Sequence, residues 1–366
     1  MKIVVAMDSF KGSLTSMQAG DAVRRGILRT LPDAEVTVLP LADGGEGTIG
    51  AIADHVGGTT RTVTVRGPLN TPVRAEYIFS QNTRTAYIEM AKASGLTLIK
   101  PEERDPFITT TYGTGELISD AVMNGAEKLM ICIGGSATND GGAGMLQALG
   151  AKLLDKKGRS IGPGASGLKD LCSADLKGLK GKDLDITVAS DVTSPLCGPD
   201  GASFVYGPQK GASEEACKMM DEWLMHYAEI SGFDPFEKGT GAAGGMSFAL
   251  KNFLGARLVS GADMVMDITG AEREIQGCNI VITGEGRMDG QTVNGKAPYR
   301  ILQTAKRYGK PVYGITGITG EGWERCLEAG FTGIVPLICP TMVTEDAIKS
   351  VEETAAEFSR TLQVSV

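Results

Sequence analysis

The chain has 366 residues, 42% hydrophobic, 22% charged and 5% aromatic, a globular composition with apolar residues enough for roughly two domains at ~150 residues each. Its 36 basic and 44 acidic residues leave a formal charge of −8 and no long basic run, which argues against nucleic-acid binding. No stretch approaches the ~18 apolar residues of a membrane span, and the N-terminal apolar run is too short for a signal peptide.

The first elements already indicate an architecture. Ile3 to Met7 is a continuous apolar run, the mark of a strand buried on both faces. Thr15 and Gln18 form a capping-box pattern, and Ala19, Ala22, Val23, Ile27 and Leu31 then recur at helical spacing. Val36 to Leu41 reads as a second buried strand, so the segment is a βαβ unit of a parallel sheet. Between residues 60 and 89 the pattern changes. Thr60 to Val65, Val73 to Phe79 and Thr85 to Glu89 are β-branched and aromatic runs separated by turn residues, which predicts antiparallel strands. Further strands are expected at Lys128 to Ile133 and Leu184 to Ala189, with helices around 115–124, 142–149, 213–230 and 244–254.

The last hundred residues return to the opening scheme. Asn279 to Thr283 is an apolar strand, followed by a helix ending near Tyr308 and strands at Pro311 to Thr316 and Gly333 to Leu337. A final helix opens at Thr344. The predicted fold is α/β. A doubly wound, flavodoxin- or Rossmann-like parallel domain comprises residues 1–62 and 258–366, and a second α/β domain, residues 63–257, is inserted in it. Seven scattered cysteines without a Cys-x-x-Cys pair read as reduced thiols, which suggests a cytoplasmic protein.

Open α/β sheets bind ligands beyond the carboxyl ends of their strands. Five predicted strands each deliver a carboxylate among glycines or small hydroxyl residues there. They supply Asp8-Ser9-Phe10-Lys11, Asp43-Gly44-Gly45-Glu46, Gly134 to Gly142, Ser190-Asp191, and Gly284-Glu285-Gly286-Arg287. Any one such Asp is more often a helix cap or turn residue. The recurrence at five strand ends is what favours chemistry. Glycine lets backbone N–H groups approach a phosphate, and grouped carboxylates call for a divalent cation to relieve their repulsion. Cradle, acids and isolated cations together describe phosphoryl transfer. Only two histidines, His55 and His226, are present, and both suit helix positions better than catalysis.

Standard nucleotide motifs are absent. No Gly-x-x-x-x-Gly-Lys-[Ser/Thr] occurs. Gly239-Thr240-Gly241-Ala242-Ala243-Gly244 has Gly-x-Gly-x-x-Gly spacing but does not follow a strand, so a 2-hydroxy-acid dehydrogenase is disfavoured. Phosphate binding at that Gly-rich helix start stays open. A non-catalytic carboxylate-binding protein would need the cradle but not the surplus acids.

These blocks are familiar in combination. Asp8 to Ser13, Ala42 to Thr48, Thr110 to Leu117, Gly134 to Gly144 (GGSATNDGGAG), Gly207 to Ala212, Gly241 to Gly245 and Thr283 to Thr292 with Gly295-Lys296 resemble the glycerate kinase type 1 family, in order and over nearly the whole chain. The resemblance implies ATP- and Mg²⁺-dependent phosphorylation of a small molecule, D-glycerate, at its 2-hydroxyl to give 2-phosphoglycerate. It also implies two α/β domains with the site in the cleft between them, and no nucleic-acid or membrane partner. On this reading Asp191 is the general base, and Lys11 and Arg287 neutralise the transferred phosphoryl and the substrate carboxylate, in either order. Asp43, Glu46 or Glu285 holds the metal. Asp8, Ser9, Gly134, Gly135, Ser136, Thr138, Asp140, Lys210, Gly284, Gly286 and Lys296 bind nucleotide or substrate.

Overall fold

The computed structural model describes residues 1–45 and 47–363. The chain forms two compact units, one of Met1–Asp43, Gly50–His55 and Ala262–Val366, the other of Gly44–Ile49 and Val56–Gly261.

The first unit is built on a five-stranded, wholly parallel sheet. Its strands run in the order Glu35–Pro40, Lys2–Met7, Ile280–Gly284, Val312–Thr316, Gly333–Pro336. Counted along the chain within this sheet the order is 2-1-3-4-5, the flavodoxin-like arrangement. The apolar run of the first strand is explained by its two covered faces. Ile3, Val5 and Met7 pack with Val23 and Ile27 of helix Ser16–Thr30 and with Val351 and Ala355 of helix Thr344–Gln363. Val4 and Ala6 pack on the other side with Ile275, Ile301 and Leu302. Each fully buried aliphatic side chain contributes roughly 1.5–3 kcal/mol, so this short strand anchors the unit. Helix Ser16–Thr30 begins with the expected capping box of Thr15 and Gln18. It crosses the last helix closely at Gly26, where a Cβ would lie 2.3 Å from the Glu352 carbonyl oxygen.

The second unit carries a six-stranded sheet in the order Arg257–Val259, Asp185–Ala189, Lys128–Cys132, Thr85–Glu89, Pro72–Ser80, Thr59–Arg66. The first four are parallel to one another, and the last two form an antiparallel hairpin added at Thr85–Glu89. Thr85–Glu89 therefore differs from expectation on one edge, pairing parallel with Lys128–Cys132. The unit also reaches beyond residues 63–257 at both ends. Thr59 to Thr62 pair with Glu76 to Phe79, and Arg257–Val259, too short to register as a strand in sequence, pairs with Thr187 to Ala189. Among the described residues no helix is long and apolar enough to cross a membrane.

Candidate active site

In the first unit the connection from Lys2–Met7 leads to Glu35–Pro40 on one side, while Ile280–Gly284 lies on the other. Loops leaving the first and third strands therefore diverge and open a crevice at the topological switch point. A cavity of about 640 Å³ lies there, lined among others by Asp8, Lys11, Asp43, Glu285, Arg287 and Lys296. Ser9 and Gly286 line it too.

Backbone pairing fixes these loops. The Asp8 amide donates to the Gly284 carbonyl at 2.8 Å, and the Ser9 amide donates to the Asp8 carboxylate at 2.7 Å. The Ser16 hydroxyl donates to the Met7 carbonyl at 2.7 Å and accepts from the Leu41 amide at 2.9 Å, pinning two strand ends together. Gly284 itself is buried and does not line the cavity. A Cβ there would meet the Ile315 carbonyl oxygen at 1.8 Å, so close strand packing requires glycine at this position.

Charge is distributed unevenly over the cavity. Lys11 Nζ lies 3.6 Å from Asp43, and Arg287 pairs with Asp289 at 3.2 Å. Lys296 bridges Glu285 at 3.4 Å and Asp289 at 3.7 Å. Glu285 also accepts from the Thr292 hydroxyl at 2.8 Å. Asp289 and Thr292, not among the residues expected from sequence, stand in the same Gly-rich block. Burial pushes the Asp8 carboxyl up to about 7, helped by the negative Asp43 and Glu285 and opposed by the Ser9 amide and Lys11. Glu285 is raised as well, chiefly by burial.

This repulsion among Asp8, Asp43 and Glu285 is what a divalent cation would relieve, and their hard oxygens suit Mg²⁺. Among the described residues no group of three or more His, Cys, Asp or Glu forms a ready-made metal cage. Mg²⁺ is usually held by one or two carboxylates with phosphate and water completing the shell, so the residues present fit. Glu46, also considered as a ligand, lies outside the described residues.

The remaining predicted residues belong to the second unit, where Lys128–Cys132 and Asp185–Ala189 are adjacent parallel strands. Their carboxyl ends deliver half-buried Gly134, exposed Gly135 and exposed Asp191. Gly135 has φ of 75°, which glycine adopts without strain. Beyond it the loop turns inward, and Ser136, Thr138 and Asp140 are buried. Asp140 accepts hydrogen bonds from the Thr111 amide at 2.8 Å, the Thr111 hydroxyl at 2.9 Å and the Gly142 amide at 3.1 Å. Lys210 is also buried, donates to the Thr138 carbonyl at 2.7 Å and is pushed down to about 7 by burial. Asp140 and Lys210 thus brace the loop from within, Lys210 through the Thr138 carbonyl.

The Gly-rich helix start has a packing explanation. Gly244 has φ of 66°, and a Cβ there would sit 2.0 Å from the Thr138 carbonyl oxygen. Its carbonyl accepts from the Gly141 amide at 2.9 Å, so the block seats the neighbouring loop. His55 ends a helix closed by left-handed Gly57, and His226 contacts the Leu171 carbonyl at 2.8 Å.

Comparison with known proteins gives a consistent result. The model of the glycerate kinase family matches residues 3–364. A glycerate kinase of Bacillus subtilis is 44% identical over 100% of this chain and 98% of its own length. A glycerate 2-kinase of Escherichia coli K12 is also 44% identical, with the same coverage. A crystallised candidate glycerate kinase 2 from Salmonella typhimurium LT2 superposes with a TM-score of 0.89 at 44% identity, covering 100% of this chain and 99% of that one.

Proposed function

The chain belongs to the glycerate kinase family, and on that premise we propose that it transfers the γ-phosphoryl group of ATP to the 2-hydroxyl of D-glycerate. The observation that carries this reading is the switch-point cavity, where Asp8, Asp43 and Glu285 stand beside Lys11, Arg287 and Lys296. A phosphoryl group in flight needs positioning and charge neutralisation more than covalent help.

Lys11, Arg287 and Lys296 offset the negative charge of the phosphates and of the acid substrate. Ser9, Gly286 and the exposed Gly135 offer close backbone approach to phosphate oxygens. Asp43 and Glu285 are the carboxylates that would hold Mg²⁺, with Asp8 beside them in the same cavity. Bound there, Mg²⁺ would neutralise charge on the phosphate oxygens. Asp191 takes the proton of the 2-hydroxyl as its oxygen bonds to the γ-phosphorus and the bond to the ADP oxygen breaks.

Incubation with ATP, Mg²⁺ and D-glycerate, followed by NMR identification of the product, tests the proposal. 2-Phosphoglycerate is expected, and excess chelator should stop its formation until Mg²⁺ is restored. Exclusive 3-phosphoglycerate would overturn the regiochemistry, and no phosphoglycerate at all would overturn the activity.

Lys11→Met should lower turnover about a hundredfold, on the order of 3 kcal/mol of transition-state stabilisation. Its side chain is 82% exposed and its contact with Asp43 is long, so the unfolding midpoint should not move. Steady-state kinetics and a thermal melt on the same preparation check both halves.

A further inference from the structure

The first unit's cavity is larger and less polar than a three-carbon hydroxy acid can use. Its volume of about 640 Å³ lies in the ~300–1,000 Å³ range of pockets that enclose a whole cofactor-sized ligand. Asp8, Lys11, Asp43, Glu285, Arg287 and Lys296 supply its charge, but Phe10, Ile318, Leu337, Pro340 and Met342 also line it. Ile318 and Met342 keep 46% and 66% of their surface exposed, although both are large and apolar.

This apolar wall is held in place by the backbone. The Phe10 amide donates to the Leu14 carbonyl at 2.9 Å, and the Ile318 amide donates to the Gly286 carbonyl at 3.1 Å. Leu337 donates to the Thr316 carbonyl at 2.8 Å. The next two amides, of Ile338 and Cys339, donate to the hydroxyls of Thr354 and Ser350 at 3.1 and 3.2 Å. Thr344 ties the far end of the segment to the Ser13 carbonyl at 3.1 Å. A surface preorganised in this way loses little entropy when a flat ligand covers it.

We infer that Phe10, Ile318, Leu337 and Met342 seat the base of the nucleotide, with its phosphates directed toward Lys11, Lys296 and Gly286. The inference rests on the kinase reading above and assigns this cavity to ATP rather than to the acid. A planar heteroaromatic ring gains from aliphatic, aromatic and thioether contacts. Glycerate, with a carboxylate and two hydroxyls on three carbons, has no comparable apolar face. The wall therefore sets affinity for the nucleotide and not for the acid.

The test uses the double variant Ile318→Ser, Met342→Ser, with Met342→Ser alone as a second protein should the pair fold poorly. Calorimetric titrations with ADP and with pyrophosphate, each with Mg²⁺ and without glycerate, are followed by KM measurements for ATP and D-glycerate. ADP affinity should fall about tenfold or more in the double variant, while pyrophosphate affinity and the KM for D-glycerate stay within about twofold. Unchanged ADP affinity would overturn the inference, as would a parallel loss of pyrophosphate binding or a rise confined to the KM for glycerate. ADP titration needs no turnover, so the two readings separate. A protein that binds ADP through this wall but leaves D-glycerate unphosphorylated keeps the inference and loses the kinase proposal.

Discussion

Asp8→Asn should remove most of the turnover and at the same time stabilise the metal-free protein. Asp8 is 8% exposed, and its carboxyl is raised from 3.8 to about 7 by burial and by the charges of Asp43 and Glu285. A carboxyl raised in the folded state holds its proton more tightly there than in the unfolded chain. The Asp8 contribution to wild-type stability is therefore most favourable below pH ~4 and is lost as pH rises through ~7. At ~1.36 kcal/mol per pH unit, the ionised side chain costs about 4 kcal/mol as an upper figure. Asparagine keeps the oxygen that accepts from the Ser9 amide while removing the charge. In chelator at pH 8 the variant should melt higher than wild type, and at pH 4 the difference should vanish. Added Mg²⁺ should stabilise wild type more than the variant, because only wild type has the full repulsion to relieve. Turnover should fall about a hundredfold or more, since the carboxylate that favours Mg²⁺ beside Asp43 and Glu285 is lost. A variant that melts below wild type at pH 8 would refute the account of Asp8 as a destabilised site group.

Asp191→Asn should lower turnover by roughly 10²–10⁴ while leaving nucleotide affinity intact. Asp191 is exposed, but its loop is laced to neighbouring segments. The Ser190 amide donates to the Val259 carbonyl at 2.9 Å, and the Val192 amide donates to the Ser190 hydroxyl at 3.3 Å. Downstream, the Thr193 and Ser194 carbonyls accept from the amides of Gly239 and Gly241 at 3.1 and 2.9 Å. Such a loop presents its carboxylate at a fixed place, as a general base requires. A mere turn or cap role would cost about 1 kcal/mol of stability and leave catalysis intact. Asparagine retains shape and hydrogen bonding but not basicity, so kcat with ATP and D-glycerate, set against ADP affinity, separates the two. A near-wild-type kcat would move the base assignment to Asp8, whose raised pKa suits proton transfer near neutrality.

Much of the first unit could be read from local pattern. Ile3 to Met7 is apolar at every position because the strand is covered on both faces, and a helix with a capping box follows it. Parallel strands send all their carboxyl ends to one edge, so Asp8, Asp43 and Glu285 were legible as neighbours before any coordinates. The apolar wall was less legible. Ile318 and Leu337 also follow strands of this sheet, but an apolar residue after a strand has the same appearance whether it fills a core or lines a cavity.

What sequence alone determined about this protein is therefore the alternation of strands and helices, the strand ends where acids and glycines gather, and the family whose blocks it carries in order. Only the tertiary structure decided which of those residues line a cavity and which are enclosed. Asp8 and Asp140 both follow strands among small residues and both are raised by burial. Asp8 lines a cavity, whereas Asp140 is enclosed by the amides and hydroxyls of its own unit. Chain order specifies residue types and spacing. Whether a carboxylate's lone pairs meet backbone donors or an open crevice depends on contacts between segments distant in sequence, here Thr111 against Asp140 and Glu285 against Asp8, which no local pattern encodes.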